Sequence, residues 1–172
     1  MRIADLSLLA IFGIVACGEK PPPDGAFILT DKQSFGFGTE FNRPGVIVGA
    51  SLPNSLIVKN EGLTDLSIDD FVLTGDDAFF MRVEGQECRE VPPRGNDCDP
   101  LSSILPVKVK GKQETFVQLI FTPRDVRVYG GTLTIKSNAE NVKNLEIKLC
   151  GVGVRTIDDA GTLDRPDGGC TR

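Results

Sequence analysis

From Ala26 onward, apolar side chains recur at every second position in short runs bounded by turn residues. This is the pattern of strands with one buried and one wet face. The runs are Ala26 to Thr30, Gln33 to Phe37, Val46 to Val48, Ser55 to Asn60 and Phe79 to Val83. In Ser55 to Asn60, Leu56 and Val58 share a face, and a turn follows at Asn60-Glu61-Gly62. The second half is more regular. Leu105, Val107 and Val109 alternate with Pro106, Lys108 and Lys110; Val117, Leu119 and Phe121 alternate with Gln118, Ile120 and Thr122 before Pro123. Leu133 and Ile135 alternate with Thr132, Thr134 and Lys136, and Leu145, Ile147 and Leu149 with Glu146, Lys148 and Cys150. Leu66 and Ile68 have one parity, Phe71 and Leu73 the other. A one-residue slip turns every side chain to the opposite face, so Asp69-Asp70 is expected to mark a bulge or bend between two strand pieces. No helical stripe runs beyond two turns. The pattern predicts an all-β chain of about seven to nine strands, packed as an antiparallel sandwich.

Residues 1–16, MRIADLSLLAIFGIVA, differ from this body. Arg2 and the amino terminus precede an uncharged apolar stretch, Leu6 to Ala16. It is shorter than the roughly 20 residues that span a bilayer and fits a secretory signal peptide. Ile14-Val15-Ala16-Cys17-Gly18 resembles the bacterial lipobox. That resemblance implies cleavage before Cys17, a diacylglyceryl group on its thiol and acylation of the new amino terminus. Gly18 in place of Asp implies the outer membrane by likeness to enteric sorting. The alternatives are a plain signal peptide with a chance Cys, or a buried N-terminal strand. One acyl chain holds a protein only reversibly, at about 0.8 kcal/mol per buried CH₂, whereas two or three anchor it. Residues 17–25 then form the lipidated Cys and a tether containing Pro21-Pro22-Pro23. The tether is either a stiff polyproline II spacer of roughly 20 Å or a linker with no required length.

Ser55 to Gly62, Leu66-Ser67-Ile68 through Leu73-Thr74-Gly75-Asp76, Val117 to Pro123 and Leu149-Cys150-Gly151-Val152-Gly153 occur in that order. They resemble the bacterial choice-of-anchor D group of ASH-like domains, relatives of the major sperm protein fold. The shared pattern is a strand closing on Asn-x-Gly, a Leu-Ser-Gly-Asp type segment, a strand closing on Phe-x-Pro and a terminal Gly-x-Gly. The resemblance covers residues 26–154 and leaves 155–172 as a polar tail. It implies an immunoglobulin-like β-sandwich with no shared catalytic site, used for interaction or structure. Two departures stand out. The turn before the Phe-x-Pro strand reads Lys110-Gly111-Lys112 instead of Pro-Gly, and Glu84 to Ser103 matches no part of the pattern.

The five cysteines are Cys17, Cys88, Cys98, Cys150 and Cys170. Lipidation of Cys17 leaves an even number in an oxidising compartment. Cys88 with Cys98 and Cys150 with Cys170 are the favoured disulfides. The first would close a short loop; Cys150 has the outward parity of Glu146 and Lys148, within reach of the tail. A four-thiolate metal site is the weaker alternative, since no Cys-x-x-Cys spacing exists. No metal ligand is assigned.

Composition narrows the chemistry. Of 172 residues none is His or Trp and one is Tyr. The missing His removes Ser-His, Cys-His and His-metal mechanisms, and the few aromatics argue against a stacking platform for sugars or single-stranded nucleic acid. Net charge is −5, unsuited to non-specific phosphate binding. Gly 19 and Pro 11 fit a turn-rich chain. The acidic clusters Asp69-Asp70, Asp76-Asp77, Asp97/Asp99 and Asp158-Asp159 are candidate Ca²⁺ ligands or acid–base pairs. They also suit turns, where Asp bonds nearby backbone amides. Lys108, Lys110 and Lys112 are expected to form a basic stripe on one strand face, meeting lipid headgroups or polyanionic glycans, or guarding an edge.

No catalytic residue and no cofactor is assigned. The favoured reading is a non-enzymatic, lipid-anchored envelope module with a protein partner and no nucleic acid, on the periplasmic or surface face of the outer membrane. The alternative is a glycan- or peptidoglycan-binding or adhesion lipoprotein. Glu84 to Ser103 is expected to be the longest strand-free stretch, and is either a bridged binding loop or a cover over the sandwich end.

Overall fold

A computed structural model describes residues 22–39, 45–90 and 96–156. Two sheets face one another. One contains β1 (Ile28–Thr30), β4 (Leu52–Asn60), β10 (Glu114–Phe121) and β6 (Phe79–Val83), in the order β1-β4-β10-β6. The other is ordered β2-β12-β11-β5-β9, from Ser34–Phe37, Asn144–Val154, Val128–Ser137, Leu66–Gly75 and Val107–Val109, with β3 (Val46–Ile47) also on β12. The chain order of these strands is the A-B-E-D and G-F-C arrangement of an immunoglobulin-like sandwich. The expected fold class holds.

Three details depart from the sequence expectation. The described residues contain twelve strands, more than seven to nine. The first three runs divide between the sheets: β1 lies antiparallel to β4, whereas β2 and β3 run parallel to β12. Glu84 to Ser103 is not strand-free. It holds β7 (Cys88–Glu90), β8 (Asn96–Cys98) and one 3₁₀ turn at Leu101–Ser103. β7 and β8 pair with each other and with neither main sheet. Their residues, Cys-Arg-Glu and Asn-Asp-Cys, have no apolar alternation.

The alternation elsewhere is realised. Leu56, Val58, Val117, Leu119 and Phe121 from one sheet meet Leu133, Ile135, Ile147 and Leu149 from the other in a single core. The expected bulge is present: Lys136 faces Asp70 and Ser137 faces Ile68, which leaves Asp69 without a partner opposite. Leu66, Ile68 and Phe71 are consequently all buried despite their change of parity.

One end of the core is aromatic. Phe37, Phe79 and Phe121 stand with ring centroids 5.1 to 6.0 Å apart, and Tyr129 meets Phe121 edge-on at 5.3 Å. Such offset and edge contacts are favoured by the ring quadrupole. Gly151 lets Phe121 lie against β12, since a Cβ there would fall inside the ring.

Candidate interaction surfaces

The buried turn after β4 is organised by Asn60, 1% exposed. Its Oδ1 accepts the Phe27 and Gly62 amides at 3.2 and 3.0 Å, and its Nδ2 donates to the Thr64 and Val109 carbonyls at 2.7 and 3.0 Å. One carboxamide thus joins the start of β1, the 61–64 turn and the end of β9. The N-terminal segment closes over that turn. Leu63 N–H donates to the Pro23 carbonyl at 3.1 Å and Glu61 N–H to the Phe27 carbonyl at 2.8 Å. Gly62 has no room for a Cβ against Gly25. Pro23 and Gly25, which the sequence places in the tether, are therefore docked on the sandwich.

The opposite end is tied by Tyr129. Its hydroxyl accepts the Arg124 and Asp125 amides at 3.1 and 2.7 Å and donates to the Asp125 carbonyl at 3.1 Å. Arg127 lies over its ring at 3.9 Å and reaches Asp76 Oδ1 at 2.8 Å. Asp76 Oδ2 also accepts the Gly130 amide at 2.7 Å. The Arg127 guanidinium holds the Asp76 carboxyl below its ordinary value, against a smaller opposing effect of burial.

The remaining sequence candidates fall as follows. Asp77 pairs with Arg124 at 2.8 Å and Asp70 with Lys136 at 3.0 Å. Asp69 accepts from the Ser67 hydroxyl at 3.0 Å. These carboxylates are engaged by turns and cations, and among the described residues no group of three His, Cys, Asp or Glu could hold a metal. Asp158 and Asp159 lie outside the described residues, as do Cys17 and Cys170. The basic stripe is not formed. Lys108 alone lies in β9, where its Nζ donates to Ser67 Oγ at 2.8 Å. Lys112 sits in the following turn with φ +64°, its Nζ on the Glu61 carbonyl and 3.5 Å from the Glu61 carboxylate. β9 ends at Val109, before the Gly111 turn, so Lys110 and Lys112 lie outside the strand.

Cys88 and Cys98 are disulfide-bonded and directly opposite in the β7–β8 ribbon. The ribbon is moored through Gln86. Its backbone N–H donates to the Val83 carbonyl at 3.1 Å, its Oε1 accepts the Val83 amide at 3.3 Å and its Nε2 donates to the Asp99 carbonyl. Gln86 thereby fills the open edge of β6 at Val83. Cys150 keeps its expected parity but not its expected exposure. It lines up with Glu146 and Lys148, yet is 4% exposed, whereas Lys148, flanked by the same β11 and β2 strands, is exposed. Cys150 is itself in a disulfide, to a cysteine outside the described residues.

Sequence reasoning missed the outer face of the four-stranded sheet. Phe116 lies opposite Ile57, and Ile120 lies between Pro53 and Phe80. Leu29, Phe80 and Phe116 are exposed on this face. The signal was legible: each carries an apolar side chain at the parity opposite to its strand's core residues.

No family model matches the chain, and no curated protein matches it. Solved structures do resemble it. A protein of unknown function from Porphyromonas gingivalis W83 matches with TM-score 0.52 and 8% identity, over 77% of this chain and 49% of that one. This chain therefore spans about half of that protein, and the likeness is one of fold. The ASH/PapD-like domain 7 of human CEP192 matches with TM-score 0.48 and 15% identity, over 87% of this chain and 99% of that one. The periplasmic chaperone SfaE matches with TM-score 0.44 and 14% identity, over 81% of this chain and 60% of that one.

Proposed function

We propose that this protein is a lipid-anchored, non-catalytic binding module of the cell envelope. The observation that carries the binding role is the β7–β8 ribbon. It adds no strand to either sheet, yet it is closed by the Cys88–Cys98 disulfide and moored by Gln86. A ribbon held in one shape loses less entropy on docking, which favours affinity. The lipobox-like Ile14 to Gly18 supports acylation of Cys17 and export to the outer membrane. The order of strand-and-turn signatures supports kinship with the choice-of-anchor D group. The engaged carboxylates and the absence of His from the sequence support a role without catalysis.

Two experiments test this reading. Cys17→Ser should release the protein from the membrane pellet on fractionation; unchanged pelleting refutes the anchor. Tagged mature protein drawn from detergent extract should recover a stoichiometric protein partner. Replacing Arg89 to Asp97 by a Gly-Ser turn, with Cys88→Ser and Cys98→Ser, should abolish that recovery. If the shortened protein folds and recovers every partner, the ribbon is not the binding site. Loss on Phe80→Ser/Phe116→Ser instead would move the partner to the sheet face. Retention on peptidoglycan or polysaccharide would favour the glycan-binding alternative.

A further inference from the structure

We infer that the turn carrying Leu63 is applied to the bilayer that holds Cys17, so that the sandwich stands with its strands along the membrane normal. The inference rests on the proposed acylation of Cys17. Its basis is the distance left to the chain. The Pro23 carbonyl accepts the Leu63 amide, and Gly25 is packed on Gly62, so the docked chain begins beside the apex of this turn. Only residues 18–22 separate Pro23 from Cys17. At 3.3–3.6 Å per residue, the acylated cysteine lies within roughly 20 Å of Leu63 however the linker runs.

The surface at that end suits lipid. Leu63 is 54% exposed, the most exposed of the large apolar side chains among the described residues. Its carbonyl is covered by Gly111, so the apex is a compact double turn with Leu63 outermost. The charged groups around it come from every neighbouring turn. Lys59, Lys110, Lys112 and Lys143 stand against Asp24, Glu61, Asp65, Glu114 and Glu140. Lys59 pairs with Glu114 and Lys112 with Glu61. The near balance neither repels nor requires anionic headgroups, and contact is driven by Leu63 and by the short linker. β12, with 11 residues, is about 36 Å long at 3.3 Å per residue. The opposite end, with exposed Ile47, is therefore held clear of the lipid, and both sheet faces stay open sideways.

The chain has no Trp, so single reporters are unambiguous. Full-length protein carrying Leu63→Trp or Ile47→Trp is reconstituted into phosphatidylethanolamine/phosphatidylglycerol vesicles containing lipid brominated in the acyl chain. Acylation is read by mass spectrometry and anchoring by flotation. Lys110→Trp, beside Leu63 on the same apex, serves as a second reporter should Leu63→Trp fail to fold. The expected result is an acylated, floating protein whose emission is quenched several-fold more at position 63 than at 47, unaltered by salt. Equal quenching at both ends, or none at 63 in a floating protein, overturns the orientation and leaves the anchor standing. A protein that is not acylated and does not float overturns the anchor itself, and the orientation with it.

Discussion

Asn141 pairs with Ile28 as a neighbouring strand would. Its Oδ1 accepts the Ile28 amide at 3.0 Å and its Nδ2 donates to the Ile28 carbonyl at 2.8 Å. β1 is the edge of its sheet, and an open edge is a template for unwanted pairing. The same device recurs at Ser67. Its amide donates to Asn138 Oδ1 at 2.8 Å and its carbonyl accepts from Asn138 N–H at 3.0 Å. Asn141→Ala should cost about 1–2 kcal/mol, the range for leaving a donor and acceptor without their partner. Urea unfolding of the mature domain measures it, and hydrogen exchange at Ile28 should quicken first.

Asn60→Ala should be more damaging, about 2–4 kcal/mol. It leaves the Phe27 and Gly62 amides and the Thr64 and Val109 carbonyls without their shared partner in a buried site. Asn60→Asp keeps both acceptor bonds but sets a carboxylate against two carbonyls. Both variants should also loosen residues 22–27, seen as faster proteolysis there than in β10.

The Asp76–Arg127 pair sets an acid limb. The folded-state pKa of Asp76 is lowered from 3.8. Its contribution is therefore fully present above that value and is lost as pH falls through the lower folded value. Asp76→Asn should flatten the dependence of the urea midpoint on pH below about 4, and added salt should weaken the parent's dependence, since both groups touch solvent. An unchanged acid limb in Asp76→Asn would remove this pair as its source.

Peptide mapping without reduction should find Cys88 linked to Cys98 and Cys150 linked to Cys170. Closing the 88–98 loop should contribute about 2–3 kcal/mol by chain entropy. A Cys150–Cys17 linkage would refute both the second pairing and the lipid anchor, because a thioether-bonded Cys17 has no thiol to give.

Gly151→Ala should destabilise by about 1–3 kcal/mol or more through overpacking, because a methyl group there occupies the Phe121 ring. Gly130→Ala on the adjoining strand meets nothing within 4 Å and should change stability little. Thermal unfolding of the two variants provides the comparison.

Local alternation by itself determined much of this protein. Val117, Leu119 and Phe121 had to face a core, and the parity change around Asp69 had to be absorbed by a bulge, because side chains in a strand alternate strictly. The Cys88–Cys98 spacing and the Asn60-Glu61-Gly62 turn were likewise legible, since both are short-range. Tertiary structure alone decided what depends on distant neighbours. Cys150 has an outward parity but is buried and disulfide-bonded, and strand parity alone does not show what covers an outer face. The lysines at 108, 110 and 112 alternate along the chain, yet the Gly111 turn, packed on Leu63, splits them. Pro23 reads as linker, yet its carbonyl meets Leu63. β7 and β8 were invisible because Cys-Arg-Glu and Asn-Asp-Cys carry no apolar alternation. A sequence shows which face of a strand is apolar; which strand lies beside it is fixed only when the sheets close.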